Sequence, residues 1–332
     1  FSLSLLAAAA AIRSAARIGE ILDLPWYSRV LFLTYLATDH LQVMFGMAGM
    51  ETQIATALFL SSAWALLTER WTHLGLFLGL ALLARPEAAI LVASVSIFLA
   101  WTRRSECVRA LALVLAVVAP WFAFATAYFG SPVPHTIVAK QVVWNSSPFA
   151  AGVSGVILYA ARSWRQVAPF LQFYFVEEGP LPDSALAAVV GSMSVLFLLG
   201  TNEVIRRGTR LTALPIAAFA FWVYRCVYTV FPYYMWHLSP FVALFVLLSA
   251  AGSGALGRRY PKTAAGLSIV LSLAYALPLP LALALDKAEQ QSDRLARGEA
   301  GRRLRGLMGP KDTVQLEPLG YIGWEIRGHT VY

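Results

Sequence analysis

Charge is what this sequence has least of. Only 13% of its 332 residues are Asp, Glu, Lys or Arg, 58% are hydrophobic, and the mean hydropathy is +0.64. An ordinary soluble domain carries about 25% charged residues, and a water-facing surface cannot be built from so few. The same scarcity excludes intrinsic disorder, which needs low hydrophobicity and high net charge. Cysteine is nearly missing. Cys107 follows Arg103 and Arg104, and Cys226 sits in an apolar run, so neither a disulfide framework nor a zinc site is expected. A glycine-rich nucleotide loop, metal-ligand spacing and a nucleophile elbow are also missing, which removes support for soluble nucleotide chemistry. Phe1 to Ile12 lack the cationic start and small-residue cleavage site of a signal peptide. They read as the tail of a transmembrane helix. With Val331-Tyr332 ending in a strand-like stretch, the chain is expected to be a fragment at both ends.

What is present is a series of apolar runs, at about 28–48, 52–67, 108–127, 184–200, 211–230, 238–255 and 263–284. Roughly 20 such residues cross a bilayer core of about 30 Å. Between the runs lie Arg13/Arg17/Arg29, Arg70/His73, Arg103/Arg104/Arg109, Arg206/Arg207/Arg210 and Arg258/Arg259/Lys262. The positive-inside rule puts these clusters on the cytoplasmic face. The net charge of +8 and pI near 9.7 then report orientation and not nucleic acid. Residues 74–101 are apolar except for Arg85-Pro86-Glu87. Two short helices, 74–84 and 88–101, keep both flanking basic clusters on one side, and a residue before proline disfavours the α region. The expected fold is an all-α polytopic membrane protein with about nine spans plus one truncated.

The transmembrane domain is expected over 1–285. Its external loop, 128–183, holds an amphipathic helix in which Val153, Val156, Ala160, Trp164, Val167, Leu171 and Tyr174 share a face. Residues 286–332 read as the start of a small external α/β domain: a basic helix, Pro310, then a strand-like Asp312 to Glu317.

A charged residue at membrane depth costs about 2.5–3.5 kcal/mol, so each needs a reason. Asp39, His40, Glu51, Arg85, Glu87, Lys140, Arg225 and His237 all fall at or near the outer face in this topology. Glu51, ahead of a span, is either a helix start favoured by the dipole or a carboxylate for acid/base or metal chemistry. Arg85 and Glu87 form either an ion pair at a hairpin tip or a phosphate-binding arginine with its neighbour. Asp39-His40 is either an interfacial helix end or a general-base pair. His135 and Lys140 follow a proline-rich turn. Phe231 to His237, with Tyr234, reads as an aromatic belt, leaving His237 and Arg225 as candidate phosphate partners.

These residues resemble a known family. Gly49-Met50-Glu51-Thr52, Leu83-Ala84-Arg85-Pro86-Glu87 and Tyr128-Phe129-Gly130-Ser131-Pro132-Val133-Pro134-His135-Thr136-Ile137-Val138-Ala139-Lys140 come in the order and spacing of bacterial GT-C glycosyltransferases. The similar members are the actinobacterial arabinofuranosyltransferase-like and related mannosyltransferase-like membrane enzymes. Glu317 to Trp324 also resembles their external C-terminal domain. The resemblance runs from about residue 45 onward. It implies an inverting transferase of the bacterial plasma membrane, facing outward. Such an enzyme takes a sugar from a polyprenyl-phosphate donor to a cell-envelope glycan or lipid acceptor, sometimes with a divalent metal. It implies a carboxylate role for Glu51, a donor-phosphate role for Arg85 and Lys140, and a supporting role for Glu87. His135 stands where the family commonly has asparagine, and Ile137 where it has an aromatic. The family's principal catalytic aspartate precedes residue 1. The alternative is a transporter or flippase of a lipid-linked sugar, using the same polar residues as a path.

Overall fold

The computed structural model describes residues 2–47, 51–132, 183–208, 210–228, 239–309, 312–314, 325–326 and 330–331. They divide into two compact units, Phe1–Leu279 and Pro280–Tyr332. The first is helical: α1 (Ser2–Ile21), α2 (Trp26–Thr38), α3 (His40–Met47), α4 (Thr52–Leu67), α5 (Trp71–Ala84), α6 (Ala88–Thr102), α7 (Arg104–Phe129), α8 (Asp183–Arg206), α9 (Ala213–Tyr228), α10 (Ser239–Gly257) and α11 (Pro261–Ala276). The second holds most of α12 (Pro278–Leu307) and a short parallel pair, β1 (Thr313–Val314) with β2 (Thr330–Val331).

Among the described residues, four helices are long and apolar enough to cross a membrane: Arg104–Phe129, Ala187–Arg206, Ser239–Gly257 and Pro261–Leu281. Large apolar side chains stand exposed along them, including Leu115, Leu198 and Val270. In water such a surface drives association; against lipid it is the outer coat of a membrane protein. At the far end of α7, Trp121, Phe124, Tyr128 and Phe129 are exposed and their rings meet one another in sequence, an arrangement suited to an interface. Gly130, in the left-handed conformation at φ 76°, stops that helix.

The core runs around α10, which is apolar on every side and buried almost throughout. It packs on α8, α4, α2, α11 and α9. Gly200 of α8 and Gly252 of α10 let two backbones touch: a methyl group on either would overlap a carbonyl of the other helix, at Leu248 or Leu196. Phe221 of α9 stacks on Phe241 of α10, with ring centroids 3.6 Å apart.

Successive helices reverse direction between two ends. Glu69, ahead of α5, pairs with Arg103 after α6 at 3.6 Å and with Arg210 ahead of α9. The chain therefore does fold back at Arg85-Pro86-Glu87, and α5 and α6 are the two short helices of a hairpin. Glu203 near the end of α8 pairs with Arg207 and with Arg258 after α10. Three of the basic clusters are thereby gathered at one end. The α2–α3 break, the start of α4 and the hairpin tip lie at the other.

The structure departs from the sequence expectation in several places. The apolar run 28–48 is not one helix but two, broken at Asp39, because Asp39 ends α2 in an extended conformation and caps α3. The first helix continues past Ile12 to Ile21, carrying Arg13 and Arg17 within it. Residues 153–174 lie outside the described residues, as does most of 310–324.

Candidate functional site

The site is built on the tip of the α5–α6 hairpin. Arg85 precedes proline and takes the extended conformation, φ −148° and ψ 125°, that proline imposes. Its N–H still closes the last turn of α5 on the Ala81 carbonyl at 2.8 Å, while its own carbonyl accepts the Ala88 N–H. The side chain cannot continue along the helix and turns towards α4, which packs beside α5.

There Arg85 Nη2 donates to Thr52 Oγ1 at 2.9 Å and pairs with Glu51 Oε1 at 3.2 Å. The guanidinium is only 2% exposed, whereas the Glu51 side chain is 43% exposed. A buried charge needs such partners, since desolvation costs several kcal/mol per ion. Burial lowers the proton affinity of Arg85, and the carboxylates of Glu51 and Glu87 work against that loss. One cation thus sits between two acids, with Thr52 as a neutral acceptor. Thr52 is fully buried and returns its hydrogen-bonding capacity to its own helix, its carbonyl accepting from Thr56 Oγ1 at 3.0 Å.

Asp39 belongs to a second polar group at the same end. Its Oδ2 accepts the Gln42 N–H at 3.1 Å, the geometry of an N-cap on α3. Gln42 Nε2 donates to the Tyr35 hydroxyl at 3.2 Å, and Tyr35 meets Tyr275 edge-on with centroids 5.1 Å apart. Asp39 and His40 are 1% and 3% exposed. Asp39 lies in the connection between α2 and α3, where burial pushes its carboxyl up to about 7, with the Gln42 N–H pulling the other way. Its Oδ1 has no hydrogen-bond partner among the described residues. Asp39 is therefore a buried helix cap, while Glu51 is partly exposed.

The structure brings Glu51, Arg85 and Glu87 together and places Asp39 and His40 at the same end. His135, Lys140, Tyr234 and His237 lie outside the described residues; Arg225 lies on α9, its side chain likewise outside them. Thr52 and Gln42 are the partners that sequence reasoning did not assign. The signal for Thr52 was its place directly after Glu51 at a helix start. Among the described residues no cluster of three or more His, Cys, Asp or Glu is disposed to hold a metal ion. Glu51 and Glu87 both act on the Arg85 guanidinium, so this donor set does not fit a divalent cation.

No family model, curated protein or solved structure matches the chain.

Proposed function

We propose that this membrane protein is a GT-C-type glycosyltransferase. In this reading it moves a sugar from a polyprenyl-phosphate donor to a cell-envelope glycan or lipid acceptor, at the outer face of a bacterial plasma membrane. The observation that supports it is the contact of Arg85 with Thr52 and Glu51. Two segments that resemble the family, 33 positions apart between Thr52 and Arg85, meet through a hydrogen bond and an ion pair.

The chemistry is an inverting displacement. The acceptor hydroxyl oxygen attacks the anomeric carbon, and the bond from that carbon to the phosphate oxygen breaks. The electron pair leaves with polyprenyl phosphate, and the hydroxyl proton passes to a carboxylate. Glu51 is the accessible acid for that proton, held in place by the buried Arg85. Arg85 also sets a fixed positive charge near the site, which favours the departing phosphate. Lys140, His135, Arg225 and His237 are the further cations of this reading, with Glu87 and Tyr234 in support.

The test is sugar transfer from a polyprenyl-phosphate sugar in membranes expressing the protein. Glu51→Gln and Arg85→Ala should each lower turnover by about 100-fold or more while the protein still inserts. Normal turnover in both variants overturns the assignment. Movement of the donor between leaflets without transfer would select the flippase instead.

A further inference from the structure

A cavity of about 290 Å³ lies at the basic end, remote from Arg85, between the Leu22–Pro25 connection and the last turns of α8 and α10. Leu24, Ala251 and Gly254 give it apolar walls. Its polar rim has two parts. Arg207 and Arg258 converge on Glu203, from just beyond α8 and just beyond α10, and remain 45% and 53% exposed. A guanidinium carries five donors and a carboxylate about four acceptor sites. One glutamate therefore leaves most of the donors of two arginines unused. The other part is Asp23, exposed in the connection that Arg29 holds by donating from Nε to the Leu24 carbonyl at 2.7 Å.

We infer that this cavity binds the headgroup of an aminophospholipid, with its phosphate on Arg207 and Arg258 and its primary ammonium on Asp23. The two arginines offer the forked donors that a phosphate matches. The volume sits at the lower limit of small-ligand sites, about 300 Å³, which suits a headgroup. Its position suits one too, because α8 and α10 each contain a stretch long enough to cross a membrane and the cavity lies where both end. Basic pockets between such helices, at the positively charged end, are where phospholipid headgroups reach protein. A purely anionic headgroup would satisfy the arginines and leave Asp23 facing like charge.

Native mass spectrometry of the detergent-purified protein tests this, with phosphatidylethanolamine, phosphatidylglycerol, phosphatidylcholine and inorganic phosphate as probes. Phosphatidylethanolamine should be retained over the other two lipids by about threefold or more, the scale of one exposed charge pair. Replacing both arginines, Arg207→Gln with Arg258→Gln, should abolish retention of every lipid. Asp23→Asn should equalise phosphatidylethanolamine and phosphatidylglycerol. That variant keeps the fold, since Asp23 sits at φ 49° and asparagine tolerates that conformation. Equal retention of these two lipids by the unaltered protein overturns the inference, as does an undiminished preference in Asp23→Asn. Displacement of the lipid by millimolar inorganic phosphate marks a free-anion site and also overturns it.

Discussion

The two ends of the helical unit solve opposite charge problems. At the hairpin tip a single arginine, nearly sealed from solvent, lies between two acids. At the basic end a single glutamate, twice over, holds two arginines: Glu69 with Arg103 and Arg210, and Glu203 with Arg207 and Arg258. At the basic end the arginines stay a third to a half exposed, so their charges are screened and each pair contributes little. At the tip the charge is desolvated, so its partners decide whether it is tolerated at all. A desolvated cation at that depth needs a reason, and this contrast marks the tip as the candidate site.

The contrast is sharpest in side-specific labelling. In a background with Cys107 and Cys226 replaced by serine, a cysteine at the exposed Pro86 should react with an impermeant thiol reagent from one side only. A cysteine at the exposed Thr102 should react only from the other, and one at the exposed Ala89, which leaves Pro86 in place, should react as the tip does. Reaction of both from one side would remove the two-ended arrangement.

The next largest effect is in stability. Thr52→Val keeps the shape but withdraws the acceptor from a buried guanidinium, which should cost about 1–3 kcal/mol in detergent unfolding. An unchanged melting temperature would show that Arg85 is not held as described.

Asp39 adds an effect that depends on pH. Its proton is retained in the folded chain up to about 7 and is lost near the ordinary value of 3.8 when unfolded. The folded state binds more protons between those values, so stability is full below the lower one and declines as pH rises through the upper one. Asp39→Asn should flatten that slope in melting temperature across the same range; a slope unchanged by the substitution would assign it to another group.

The smallest effect belongs to the basic end. Glu69→Gln should lower stability by about 1 kcal/mol or less at low salt, and the loss should vanish near 1 M salt, where screening acts within about 3 Å. A loss that persists in high salt would make this end resemble the tip.

Much of this organisation was legible in the sequence because hydrophobicity and charge act locally. Long apolar runs between arginine clusters give helices and their alternation, and Arg85-Pro86-Glu87 gives the fold-back through the steric demand of one proline. The break at Asp39 was harder to see. Its apolar neighbours continue on both sides, and the acid acts through a backbone N–H three residues later. Glu51 and Arg85 were each readable as a candidate, but with two meanings apiece.

The sequence by itself determined the class: too few charges for water, enough apolar length for lipid, and cations sorted to one face. Only the tertiary structure decided which of the costly polar residues work together. It buried Asp39 as a cap, left Glu51 accessible, and joined Glu51 and Thr52 to Arg85. The reason is physical: hydrophobic patterning is set by residues a turn apart, whereas a buried charge is satisfied by whatever helix packing brings within about 3 Å of it.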